Sequence, residues 1–323
     1  MIITLLAWLY ITILCRIWGV LILITVKKIS RDDKSMPVHF SISCFLGLAG
    51  ITVFASLLSL FIPLGGWLAQ LLIVAPCTLL LFIKPGQRIF PELKKNFSRS
   101  HTILITLIFF CLILVLHTSS WKITNEDTLG YHAQIIQWIE KYKAVPGIAN
   151  LHLRYGFQSP WFVSCALFSF SFTGTNALTF INSAILFWYF IFMISQVNEY
   201  FLGQTNIATS FLWLAFLMFS LWNYSLVRLT ADSASPDFVA VIYTWIVFYL
   251  LLNKKFRETN TSNFLLLILT SVFAFTVKLS AFPIILISVY GAYELLRVKK
   301  IRALLFSLLI AVLILIPFGA RNI

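Results

Sequence analysis

What most constrains this chain is a succession of continuous apolar runs, each approaching or reaching the length needed to cross a bilayer. Residues 2–26, 38–62, 102–120, 177–197 and 302–319 are of this kind. A hydrocarbon core about 30 Å thick asks for roughly 20 apolar residues per helix. Lipid offers no partner to a bare peptide group, so only helices and closed barrels span it. Barrel strands are alternating segments of about ten residues, which these runs are not. The fold class is therefore all-α, a polytopic transmembrane helix bundle. Composition agrees: 60% of the 323 residues are hydrophobic and 11% charged, against roughly a quarter charged in soluble domains. One long polar interruption, residues 121–159 (WKITNEDTLGYHAQIIQWIEKYKAVPGIANLHLRYGFQS), is where chemistry on water-soluble groups is expected.

The formal net charge is +13, yet its distribution argues against a nucleic-acid surface. Of the 24 Lys and Arg residues, most fall in four short clusters. These are Lys27, Lys28, Arg31, Lys34; Lys84, Arg88, Lys94, Lys95, Arg99; Lys254, Lys255, Arg257; and Arg297, Lys299, Lys300, Arg302. Basic loops between apolar runs are what the positive-inside bias produces, which puts all four in the cytoplasm. The five cysteines lie inside apolar runs without metal-ligand spacing and read as small core residues. The first run lacks a basic leader and a clear cleavage site, and reads as a retained helix.

Counting crossings from these clusters gives about ten spans with both termini outside. Residues 1–100 form an N-terminal three-helix unit. Residues 101–323 form a second module whose outer loop is 121–159. Residues 161–172 are too few to cross at about 1.5 Å each and are expected as a half-helix at the outer surface. Residues 264–297 begin and end at basic clusters, so they form a hairpin turning near LSAFP. A chain ending just after a span, at Arg321-Asn322, is expected to continue in a longer parent protein.

Within the outer loop, residues 127–143 read as an amphipathic helix bounded by Pro146-Gly147. At 100° per residue Asp127, Tyr131, Gln134 and Trp138 share one face, a carboxylate, an amide and two rings suited to a sugar. Asp127 has two compatible roles, as an acid in a capping-box-like pair with Thr124 or as a general base. His132 projects to the apolar side rather than beside Asp127; it reads either as a packed, hydrogen-bonded histidine or as a catalytic one, the packed reading at least as strong. If residues 150–154 are extended, Asn150, His152 and Arg154 fall on one side. Arg154 then either grips a phosphate or anchors the loop at headgroup level. In the second outer loop Ser235-Pro236-Asp237 opens a helix, and Asp232 pairs with Arg228 four residues earlier. Lys278 lies in an apolar context where an unpaired lysine is costly; it either snorkels to the headgroups or meets a lipid-linked phosphate.

From residue 102 onward the chain resembles the C-type (GT-C) glycosyltransferases, polytopic enzymes that use polyprenyl-phosphate-linked sugars. The resemblance is carried by Asp127-Thr128-Leu129-Gly130-Tyr131, Ser159-Pro160-Trp161, Gly174-Thr175-Asn176, Pro236-Asp237 and Thr276-Val277-Lys278-Leu279-Ser280. It departs at Thr128, where the family often has a second acid. The phrase YHAQIIQW…VPGIANLHLRYGFQS also resembles a bacterial branch of large membrane proteins of this superfamily.

The resemblance implies an inverting transfer of a sugar from a polyprenyl-phosphate donor to a glycan or lipid acceptor, on the outer face of the bacterial inner membrane. It implies Asp127 as catalytic base and Tyr131, Gln134, Trp138, His152, Arg154, Asp237, Lys278 and Arg321 as substrate-binding residues. No cofactor is implied with certainty, and a divalent metal stays open. Membrane lipids are expected partners and nucleic acid is not. The alternative is a transporter or flippase of lipid-linked sugars that uses the same groups for binding alone.

Overall fold

The computed structural model describes residues 1–31, 39–79, 102–201, 224–252 and 261–322, with a few single positions between 201 and 224. Expectations about Lys34, the cluster from Lys84 to Arg99, the cluster from Lys254 to Arg257, the turn after Gly203 and most of the run 207–226 lie outside these residues. In chain order the helices are α1 (Ile2–Ser30), α2 (Phe40–Leu58), α3 (Trp67–Leu79), α4 (Thr102–Ser119), α5 (Ala133–Lys141), α6 (Pro160–Leu167), α7 (Phe180–Phe201), α8 (Tyr224–Ala231), α9 (Asp237–Leu252), α10 (Thr261–Val277), α11 (Ile285–Arg297) and α12 (Ile301–Arg321). Six of the described helical segments are long and apolar enough to cross a membrane: Ile2–Ser30, Phe40–Leu58, Thr102–Ser119, Phe180–Glu199, Leu279–Arg297 and Ile301–Arg321. Three shorter apolar helices accompany them, Trp67–Thr78, Asp237–Leu251 and Thr261–Val277.

The α1–α2 pair packs closely together and into the same core as the helices beyond residue 102. A Cβ on Gly19 would strike the backbone of Ser43, and one on Gly47 the backbone of Cys15. Small residues at this contact let the two backbones approach, and dispersion replaces a hydrophobic drive that lipid does not provide.

Polar bonds gather the helix ends into two groups. At one end Ser30 Oγ lies 2.6 Å from Ser262 Oγ, and Lys300 Nζ reaches Ser30 O at 3.5 Å. These contacts unite the end of α1 with the starts of α10 and α12, and with them the two described basic clusters. At the other end Ala144 N donates to Ser59 O at 2.8 Å, Arg321 Nη1 to Ser59 Oγ at 2.8 Å, and Ser159 Oγ to Val277 O at 2.7 Å. The polar stretch 121–159 therefore sits with the ends of α2, α10 and α12, away from the basic end.

Three local expectations change. The half-helix forms as α6, started by Ser159 Oγ accepting from Trp161 N at 3.1 Å with Pro160 behind it. All eight of its residues are buried, so it plugs the bundle instead of lying on a surface. Residues 150–154 are not extended: 3₁₀ turns occupy Ile148–Asn150 and Leu153–Gly156. The helix at 127–143 begins with a π turn at Thr128–His132 before α5 takes over. Ile135, Ile136 and Ile139 are buried, while Leu129 is 49% exposed. The hairpin between the basic clusters turns through Leu279–Ile284, where LSAFP places it.

A candidate active-site cavity

Distant segments meet at the end of the bundle that carries residues 121–159. The first is the entry to α5. Asn125 Oδ1 accepts from Thr128 N at 2.9 Å and from Thr128 Oγ1 at 3.2 Å, satisfying a free donor at the helix start. Thr124 does not pair with Asp127. Its N and Oγ1 donate instead to Asp232 Oδ2 at 3.2 and 2.5 Å. Asp127, released from capping, accepts from Arg154 Nη1 at 3.0 Å. The same guanidinium lies 5.1 Å from the centre of the Tyr131 ring, a cation–π contact.

The second segment follows α8. Asp232 is 1% exposed, and it forms the expected i,i+4 ion pair with Arg228 at 3.9 Å. Burial raises the Asp232 carboxyl above the usual range, opposed by the Thr124 bonds and by Arg228. Its Oδ1 is buried without a hydrogen-bond partner. Ala234 N donates to Thr128 Oγ1 at 3.3 Å. Together with the Thr124–Asp232 bonds, this stitches the two polar loops into one body. Ser235 Oγ then accepts from Asp237 N at 3.3 Å and sets Asp237 in the first turn of α9.

The third segment is the break after α10. Ser159 Oγ holds the carbonyl of Val277, and Lys278 leaves the helix in extended conformation at φ −151°. Its Nζ lies 2.7 Å from Asp237 Oδ1.

These segments enclose a cavity of about 430 Å³ whose wall includes Asp127, Tyr131, His132, Asp237, Lys278 and Ser280. The end of α12 closes it. Asn322 Oδ1 accepts from Gln158 N at 3.0 Å, and Asn322 Nδ2 donates to Gln158 O at 3.2 Å. Both residues line the cavity. Across the Asp237–Lys278 pair lies a second, more apolar cavity of about 440 Å³, walled by Leu229, Phe238 and Val241. The ion pair thus borders both cavities.

His132 corrects the helical projection. A π turn advances less than 100° per residue, so the ring swings from the apolar side onto the cavity wall. It is 3% exposed, and its ring centre lies 4.8 Å from that of Phe162 and 4.3 Å from that of Tyr131. Burial pushes the imidazole down to about 4; Asp127 and Asp237 pull it up and Arg154 down. Its buried Nδ1 has no hydrogen-bond partner. The Tyr131 phenol is raised, first by burial and then by Asp127.

Of the residues expected to bind substrate, Tyr131, Asp237 and Lys278 line the cavity and the others do not. Gln134 Nε2 turns back to Leu129 O at 3.2 Å, and the Trp138 ring centre lies 5.1 Å from that of Tyr142. His152 caps its own 3₁₀ turn, Nδ1 accepting from Arg154 N at 3.3 Å. Arg154 reaches the site only through Asp127 and Tyr131. Arg321 is 8% exposed and bonded to Ser59, because one residue of helical rotation gives the cavity to Asn322 instead. Sequence reasoning passed over Gln158 and quoted Asn322 only as half of an Arg-Asn pair.

Among the described residues no three His, Cys, Asp or Glu side chains group closely enough to hold a metal ion. Each cavity carboxylate is instead opposed by a cation, Asp127 by Arg154 and Asp237 by Lys278.

No curated protein and no solved structure matches the chain. Over residues 1–323 it matches, and belongs to, the family described as a domain of unknown function, DUF8201.

Proposed function

We propose that this chain is an inverting glycosyltransferase of the GT-C type, moving a sugar from a polyprenyl-phosphate donor to a glycan or lipid acceptor on the extracytoplasmic face of the bacterial inner membrane. The observation that carries the reading is the convergence of Asp127, Asp237 and Lys278, from separate stretches of sequence, on one cavity. In this reading the six long apolar helices, the three shorter ones and a crossing within residues 207–226 make ten spans.

The chemistry asked of the cavity is a single displacement. The acceptor hydroxyl oxygen attacks the anomeric carbon, and the bond from that carbon to the phosphate oxygen breaks. The phosphate departs with the electron pair, and the hydroxyl proton passes to the Asp127 carboxylate. A positioned base of this kind contributes about 10²–10⁴ in rate. For Asp127 to accept the proton, Arg154 must loosen its hold. Lys278 offsets the charge developing on the leaving phosphate, and Asp237 holds the lysine until substrate arrives. His132, its imidazole held at about 4, is neutral at physiological pH and lines the cavity without adding charge.

The test is reconstitution of the full chain in vesicles with polyprenyl-phosphate-linked sugars and a panel of glycan and lipid acceptors. Formation of a new glycosidic bond is expected. Movement of intact lipid-linked sugar across the vesicle wall with no new bond would replace transfer by transport.

A further inference from the structure

Along the middle of the bundle, between its basic end and the cavity, lies a second feature. A groove of about 370 Å³ runs between α1, α2, α10 and α12, walled by apolar side chains such as Trp18, Ile22, Phe54, Phe273 and Ile310. Its α2 wall extends from Leu46 to Leu57, about 16 Å at the helical rise per residue. Ala49 and Gly50 line it, and the absence of a side chain at Gly50 leaves room for Ile22, whose Cδ1 would lie 2.6 Å from a Cβ there.

The mouth is set by helical spacing. On α1 the wall residues Leu21 and Thr25 are followed on the same face by Lys28, three residues after Thr25. On α12 the wall residues Phe306 and Ile310 are preceded on the same face by Arg302, four residues before Phe306. Lys300 Nζ bonds Ser30 O at 3.5 Å, so these two helix ends adjoin. Lys28 and Arg302 are exposed, and among the described residues neither has an acidic partner, whereas Arg297 nearby is paired with Glu294 at 2.7 Å.

We infer that this groove is a binding site for an anionic phospholipid, one acyl chain lying along the α1–α2–α10–α12 walls and the headgroup phosphate held by Lys28 and Arg302. An apolar slot facing the bilayer takes a hydrocarbon chain at no desolvation cost. Two unpaired cations at its mouth select a negative headgroup over a zwitterionic one. The groove walls end one helical turn short of the Asp127 cavity, Phe273 preceding Thr276 by three residues and Ile314 preceding Phe318 by four; the inference does not rest on the reaction proposed there.

The experiment uses the full chain, delipidated in detergent and titrated with phosphatidylglycerol or phosphatidylcholine, with bound lipid counted by native mass spectrometry. Phosphatidylglycerol is expected to bind at least tenfold more tightly. Lys28→Gln with Arg302→Gln, both at exposed positions, is expected to weaken it roughly 30-fold. Ile310→Trp, which fills the slot and leaves both charges in place, is expected to abolish high-affinity binding. Leu313→Trp, on the same wall, serves where Ile310→Trp lowers the yield of folded protein. Equal binding of the two lipids, or unchanged binding in the double glutamine variant, overturns the proposal. Loss in that variant with full retention in the tryptophan variants means a headgroup patch alone and also overturns the groove.

Discussion

Lys278 Nζ lies 2.7 Å from Asp237 Oδ1, yet the pair is exposed, 40% for the lysine side chain and 66% for the aspartate. Exposed ion pairs contribute about 0–1 kcal/mol, so this contact does little for the fold. Its placement on the wall between two cavities matters more. Lys278→Gln is expected to leave the unfolding temperature within a few degrees and to lower transfer about 10²–10³-fold. Exchanging the charges, Asp237→Lys with Lys278→Asp, restores an ion pair but not the cation that faces the donor. Transfer by the exchanged variant should stay as low as in Lys278→Gln; recovery would mean that the pair is purely structural.

His132 carries a pH dependence of stability. Its folded value of about 4 lies below the ordinary histidine value of 6.5. The unfolded chain therefore binds a proton between these values while the folded chain does not, and stability falls as pH drops from 6.5 to about 4. The loss is on the order of 3 kcal/mol at 1.36 kcal/mol per unit. Unfolding of the wild type in detergent should weaken across this window, and His132→Phe should flatten that part of the profile. An unchanged slope in His132→Phe would assign the effect to other groups.

The bonds from Thr124 to Asp232 are the seam between the two polar loops. Asp232→Ala removes the acceptor of two hydrogen bonds from the exposed Thr124, at a cost of about 1–2 kcal/mol from net bonds worth about 0.5–1.5 kcal/mol each. Asp232→Asn keeps an acceptor oxygen and relieves the buried carboxyl, so it should be near neutral at pH 7. Thermal unfolding of both variants, and of Thr124→Val alone and combined with Asp232→Ala, tests this. The combined loss should be smaller than the sum of the two single losses, because the residues share one interaction.

The end of α12 offers a third check on the cavity wall. Asn322→Ala removes both hydrogen bonds to the Gln158 backbone, and Gln158 is buried. The expected result is a stability loss of about 1–2 kcal/mol, since each net bond is worth about 0.5–1.5 kcal/mol. Arg321→Lys, by contrast, should affect the Ser59 contact and not substrate affinity, because Arg321 does not line the cavity. A change in substrate KM with Arg321→Lys at unchanged stability would return Arg321 to the site.

The helices were legible because a bilayer demands a length and an apolarity that the runs meet or miss on inspection. The hairpin turn at LSAFP and the helix start at Ser235-Pro236-Asp237 were legible because breaks and caps have local chemical signatures. The acids and the lysine of the cavity wall were legible, since such groups are conspicuous in apolar sequence. What sequence reasoning missed depended on rotation or on distant partners. His132 was misplaced because a π turn breaks the 100° step, and nothing in TLGYH announces it. Asn322 and Arg321 exchanged roles because adjacent helical residues differ by a large angle. Thr124 was assigned to Asp127 by proximity in sequence, whereas its partner comes from the other loop.

The most direct measurement of the central claim is the rate of sugar transfer by Asp127→Asn in the reconstituted full chain, at wild-type protein level. The asparagine keeps an oxygen for Arg154 and loses the capacity to take the proton. The account predicts a fall of about 10²–10⁴-fold in kcat with little change in donor KM. Transfer at the wild-type rate would contradict it.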